Sequence, residues 1–289
     1  MKFNKIALVV CFIGHVIARN YITGNGFRDI ADYKIEGNTF PQNPQSIEEK
    51  SIIYIEADYL RYFFEDIYPK IQHPIIIVSH NGDVSAPAEF ASRLDDDKII
   101  IWFGQNCDCI HKKFYPIPIG IANAKWGHGN PTIFDSTLDI LEKNAQRKHK
   151  RRQKISRLYI NFTPETNKIR ADLLELFKHN PFAFFAQRKP LESYLMEMSR
   201  FRFILSPFGN GLDCHRTWEA LLVGTIPIVQ TSTLDQLYDD LPVIIVQDWH
   251  QISQEFLESR YREMQTKTYN LEKLFIDYWV KIILSYKND

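Results

Sequence analysis

The chain has 289 residues, 45% of them apolar and 24% charged, and its 35 basic and 35 acidic side chains cancel. That composition excludes a disordered or fibrous protein, and the zero net charge excludes the basic footprint that holds a nucleic-acid backbone. The length exceeds the roughly 100–200 residues of one domain, so two compact domains are expected.

At the N-terminus Lys2 and Lys5 precede an apolar stretch, 6–13, and Val16, Ile17 and Ala18 offer small residues for cleavage. The plan is that of a secretory signal peptide over 1–18. The stretch is shorter than the ~20 residues that span a bilayer, so any membrane association would come only through this segment left uncleaved. The expected location is the secretory pathway or an exported compartment. Cys11 would leave with the leader, and Cys107, Cys109 and Cys214 would remain. An odd count cannot be fully paired within one chain, although an oxidising route allows one bridge to Cys214.

From residue 51 onward, short β-branched runs alternate with amphipathic stretches. Strands are expected at 51–55, 75–78 and 99–103, with a helix over 58–67. The run Ile75, Ile76, Ile77, Val78 is apolar at every position, which is the pattern of a parallel strand covered on both faces. A helix is expected over 134–144, followed by the basic run 147–152, which reads as a solvated connection. A second α/β series then begins: strands at 158–160, 181–185, 201–205, 226–229 and 243–246, and helices at 169–179, 191–199 and 215–223, the last stopped by Gly224. The expected fold class is α/β, with an N-terminal domain over 19–145, a C-terminal domain over 155–270 and a final helix over 271–289. Ligands in such sheets bind beyond the carboxyl ends of the strands, in the cleft between the domains.

The segment after the 201–205 strand is the most informative. It carries Gly209, Asn210 and Gly211 in a strand-to-helix turn, then His215, Arg216 and Glu219 in the first turns of a helix. Glycines let backbone come close to a ligand, and a helix N-terminus directs free N–H groups at an anion. A helix end contributes about 0.3–1 kcal/mol, whereas enzymes lower barriers by about 8 kcal/mol or more, so a departing diphosphate also needs a full charge. The guanidinium of Arg216 supplies one and can hold two phosphate oxygens. Glu219, three residues on, lies on nearly the same face; it can accept from ribose hydroxyls or pair with Arg216. Asp213 is suited to capping the helix, and Trp218, Ala220 and Leu221 to packing.

The run 209–228, Gly-Asn-Gly-Leu-Asp-Cys-His-Arg-Thr-Trp-Glu-Ala-Leu-Leu-Val-Gly-Thr-Ile-Pro-Ile, with Leu234, Asp235 and 237–243 behind it, resembles the donor half of exostosin-like glycosyltransferases and the related ribitol xylosyltransferase type. The match extends over about 158–249. The resemblance implies a GT-B fold, two Rossmann-like domains with parallel sheets facing a central cleft. It implies an inverting, metal-independent transfer without a cofactor, from a nucleotide sugar, typically a UDP-sugar, to a hydroxyl of a glycan or glycoconjugate. It places Arg216 on the diphosphate and Glu219 on the ribose, within a donor site of Gly209, Asn210, Gly211, His215, Arg216 and Glu219. The alternative is a non-catalytic nucleotide-sugar or glycan binder of the same fold.

An inverting transfer needs a base for the acceptor proton. After the 75–78 strand stand His80 and Asp83, the candidate catalytic residues, which can equally hold the turn and cap a helix. His128 is a further base candidate, among amides and aromatics near Gln105, Asn106, Asn123 and Trp126 that suit sugar hydroxyls. Asp95, Asp96 and Asp97 form a DxD-like string, but they precede a strand and read as a solvated turn. Asn161, Phe162 and Thr163 form a glycosylation sequon weakened by Pro164 behind it.

Overall fold

The computed structural model describes residues 19–146 and 153–288. The leader at 1–18 and the basic connection at 147–152 lie outside the described residues.

The first sheet has five parallel strands in sequential order: β1 (Tyr33–Ile35), β2 (Ile52–Glu56), β3 (Ile75–His80), β4 (Ile99–Gly104) and β5 (Phe114–Pro116). β3 lies at its centre and every residue in it is buried, as its unbroken run of branched side chains demands. Ile76 of β3 pairs with Ile52 on one side and Ile101 on the other. Trp102 anchors one face of this layer, wedged between Phe64 and Phe114, and its indole N–H donates to the Ser79 hydroxyl at 2.8 Å. That bond satisfies the one polar group the large side chain brings into the core.

The segment 58–67 departs from the expected single helix. It winds through successive 3-10, α and π turns between Ala57 and Lys70. Leu60, Phe63, Phe64, Ile67 and Tyr68 are all buried there, at the i, i+3, i+4, i+7, i+8 spacing of one helical stripe, so the expected apolar face is kept although the winding is not uniform. Pro69 then ends the winding.

The second sheet is also five-stranded and parallel, in the order β10 (Ile244–Val246), β9 (Ile226–Gln230), β8 (Phe201–Leu205), β6 (Ile155–Ile160), β7 (Ala183–Phe185). Thus both parallel sheets of the expected α/β class are present. Of the helices, α1 (Gly24–Asp29) precedes β1 and α2 (Pro131–Gln146) ends the first half; α3 (Lys168–Phe177), α4 (Leu191–Met198) and α5 (His215–Leu222) link strands of the second sheet. At α5 the helix stops at Gly224, whose φ of +73° only glycine adopts freely.

Two further helices, α6 (Gln254–Met264) and α7 (Ile276–Asn288), follow β10. α7 does not stay with the second sheet. It returns to the first, where Tyr286 packs edge-on against Phe103 and Lys287 pairs with Asp32 at 2.7 Å. Phe275, just before it, bridges Tyr21. The chain therefore passes between the halves twice. Cys107, Cys109 and Cys214 are all free thiols.

Candidate functional site

Topology selects one location. In the second sheet β6 leads to β7 on one side and β8 leads to β9 on the other, so the connections leaving the carboxyl ends of the adjacent strands β6 and β8 run to opposite sides. Such a reversal opens a crevice at the carboxyl ends of the two strands. The first sheet, in simple sequential order, has no such point.

Arg216 stands in that crevice. Its Nε donates to the Asn161 carbonyl, the residue after β6, at 2.9 Å, and its guanidinium lies 5.4 Å from the Phe162 ring centre. Its Nη1 is buried and has no hydrogen-bond partner. A buried cationic donor without an acceptor costs more than a made bond contributes, so an acceptor belongs there. One turn on, Glu219 is buried and accepts from the Tyr194 hydroxyl at 3.1 Å. Burial pushes its carboxyl up to about 7, against the opposing pull of the Tyr194 bond and the Arg216 charge. Among the described residues no ion pair joins Arg216 to Glu219, so each retains bonding capacity.

The glycine turn before α5 is arranged differently from a bare phosphate cradle. A Cβ on Gly211 would lie 2.3 Å from the Asn106 amide nitrogen, and one on Gly209 would lie 3.0 Å from a guanidinium nitrogen of Arg170. The glycines here make room for protein side chains. Arg170 donates to the Phe208 carbonyl at 2.7 Å and Asn167 to the Gly209 carbonyl at 2.9 Å, so the start of α3 holds the turn. Asp213 is not the cap of α5. Cys214 occupies that position and its side chain makes no capping bond; the Thr217 N–H donates to the Cys214 carbonyl at 3.0 Å, while the N–H groups of His215 and Arg216 receive no side-chain cap. The Asp213 carboxylate, buried and pushed by burial up to about 6, instead takes the Trp218 indole at 2.9 Å and the Ile119 backbone N–H of the first half at 2.9 Å.

The two halves meet along this helix start. His215 Nδ1 lies 2.7 Å from the Gly120 carbonyl, and Asn210 donates to the Asp83 carboxylate at 2.9 Å. Thr233 donates to the Cys107 carbonyl. His128 faces His215 with ring centres 6.1 Å apart. Asp83 is thus on the rim, exposed, opposite Asn210. His80 is not: it is 1% exposed, its Nδ1 accepts from the Asn81 N–H at 2.7 Å, and its Nε2 sits 3.1 Å from the Pro118 carbonyl. Burial holds its pKa down to about 4. With both ring nitrogens engaged, His80 holds its turn and has no lone pair for an acceptor proton. The sequon amide of Asn161 is also engaged, with the Gln187 carbonyl at 3.3 Å.

No protein-family model matches the chain, and no curated protein matches it. Solved structures similar to it include the UDP-GlcNAc 2-epimerase from Methanocaldococcus jannaschii, at 12% identity over 81% of this chain and 77% of that one, with a TM-score of 0.33. An OtsA apo structure has 12% identity over 84% and 74%, TM-score 0.40. A GtfA/B complex has 13% identity over 84% and 58%, TM-score 0.37. Likenesses this distant assign nothing to the site.

Of the residues expected from the sequence, His215, Asn210 and Asp83 meet at the junction of the halves, Arg216 and Glu219 lie on the second-half side of the same helix, and Gly209 and Gly211 make room for Arg170 and Asn106. Reasoning from sequence missed Arg170, Asn167, Asn161 and Tyr194, which surround Arg216, Glu219 and the turn. Asn161 had one usable signal, its place directly after a strand, where ligands of parallel sheets bind. Among the described residues no three His, Cys, Asp or Glu side chains cluster as metal ligands.

Proposed function

We propose that the protein is a glycosyltransferase of GT-B architecture that takes a sugar from a nucleotide-sugar donor and passes it to a hydroxyl of a glycan or glycoconjugate, with inversion. One observation carries the reading: the unpartnered Nη1 of Arg216, enclosed at the crevice between β6 and β8. A diphosphate oxygen is the acceptor this donor lacks, and Arg216 itself belongs to the first turn of α5, whose start has no side-chain cap. Glu219, one turn along, has a carboxylate oxygen to spare for a ribose hydroxyl once Tyr194 has taken the other. The resemblance of the 209–228 run to exostosin-like enzymes agrees with these roles, and a UDP-sugar is the proposed donor. Secretory or exported placement, from the leader, is part of the same proposal.

In the transfer, positive charge on Arg216 would stabilise the electron pair that leaves with the diphosphate. The acceptor would come from the rim of the first half, where exposed Trp126, two residues before His128, offers an aromatic surface for a sugar ring. The spent state of His80 favours a second reading, a nucleotide-sugar binder without turnover.

The test is a melting-temperature screen of the whole protein against UDP, GDP and their sugars. A ligand at about 100 times its Kd stabilises by about 2.7 kcal/mol, which moves the transition visibly. Arg216→Met should abolish the shift while leaving the ligand-free transition within a few degrees, because Met fills the space and removes an unsatisfied donor. No shift with any nucleotide, or an unaltered shift in Arg216→Met, refutes the donor site. Binding without release of nucleoside diphosphate across an acceptor panel selects the binder.

A further inference from the structure

We infer that His215 is the catalytic base, accepting the acceptor's proton at Nε2; the inference rests on the transferase reading. The tautomer of His215 is fixed by its partner. A carbonyl oxygen only accepts, so at 2.7 Å from Gly120 O the Nδ1 of His215 carries the hydrogen, and the neutral ring keeps its lone pair on Nε2. The carbonyl itself is immobilised. Gly120 has φ +66°, a Cβ there would lie 2.1 Å from the Ile22 carbonyl oxygen, and the next residue donates to that same oxygen at 2.9 Å. Among the described residues nothing hydrogen-bonds to Nε2.

Direction supports the assignment. Successive helix residues project about 100° apart. At the start of α5 this sends His215 toward the first half, onto Gly120, and Arg216 toward the second, onto Asn161. An inverting displacement needs such a division, with the base on the acceptor side and the charge-stabilising group on the leaving-group side. The acceptor O–H bond breaks and its proton goes to Nε2 while the oxygen bonds the anomeric carbon. The bond from that carbon to the diphosphate breaks, and its electron pair leaves with the diphosphate against Arg216. The imidazolium then returns its proton to water.

The titratable groups facing His215 are His128 from the loop after β5, Asp83 from the turn after β3, and His80 at the end of β3. Burial is the largest influence and lowers the His215 pKa, with His128 adding to the lowering and Asp83 opposing it. The ring is therefore neutral and able to accept a proton near pH 7. Other candidates lack this combination: His80 has both nitrogens engaged, and the Asp83 carboxylate is exposed and takes the Asn210 amide.

The test uses His215→Asn in the full chain. The Asn amide can donate to Gly120 O from the place of Nδ1 but supplies nothing at Nε2. With the UDP-sugar identified by melting shift and an acceptor identified by UDP release, the variant should keep the wild-type melting shift with UDP and lose about 100-fold or more in turnover. The acid limb of the pH profile should vanish with it. Nitrogen NMR of the labelled wild type should show the Nδ1–H tautomer at His215, a readout independent of activity and of how the variant folds. Turnover within about threefold of wild type with the acid limb retained, or an Nε2–H tautomer, overturns the assignment. Absence of any UDP shift in the wild type instead refutes the transferase reading itself.

Discussion

Replacing Glu219 by Gln should stabilise the protein, and by an amount that grows with pH. In the folded state burial lifts this carboxyl from 4.5 to about 7, so the native protein holds the proton more tightly than the unfolded chain does. A group raised in this way costs stability as pH climbs from its unfolded to its folded pKa. At about pH 5 the cost is under about 1 kcal/mol; near pH 8 it approaches the full shift of about 2.5 units, or about 3 kcal/mol. Gln keeps the shape and can still accept from Tyr194, but never ionises. Urea unfolding of wild type and variant at about pH 5, 6, 7 and 8 gives the difference directly, with equal m-values required for the comparison. The difference should rise by about 2 kcal/mol or more across the series and level off above pH 7. A pH-independent difference, or one that shrinks with pH, would show that Glu219 is not a desolvated carboxyl and that its availability to a ribose is misjudged.

Two further perturbations probe the junction. Gly120→Ala should destabilise by about 3 kcal/mol or more in urea unfolding, because its φ of +66° and the 2.1 Å approach to Ile22 O leave no place for a methyl group; a loss below about 1 kcal/mol would mean the loop gives way easily and cannot fix the His215 tautomer. Gly211→Ala should be destabilising for another reason, the Asn106 amide 2.3 Å away, and Asn106→Gly, compatible with the φ of +53° at that position, should relieve the clash. A double-mutant cycle should give a coupling of at least about 1 kcal/mol, and additive effects would contradict the contact.

What the sequence disclosed depends on how local each signal is. The central strands were readable because Ile75 to Val78 must be covered on both faces wherever they sit. β1 and β5, at three residues each, are too short for any period to register. Arg216 and Glu219 lie three apart on one helix, so their shared face follows from 3.6 residues per turn. The support of the turn by Arg170 and Asn167 comes from another helix some 40 positions earlier, and nothing in the spacing hints at it. Glycines report only that something comes close. Whether that something is a ligand or Asn106 depends on the docking of two separate sheets. The same limit applies to His80, whose place after a strand was legible while its complete burial was not.

The return of α7 to the first sheet has a mechanical consequence. The chain crosses between the halves twice, once between α2 and β6 and again just before Ile276, so the surfaces around His215 are held near each other by covalent connection as well as by contact. The Asp213 carboxylate on Ile119 N–H, His215 on the Gly120 carbonyl and Asn210 on Asp83 all lie on that surface. A double crossing of this kind keeps the partners of these bonds close to one another even when a single bond opens.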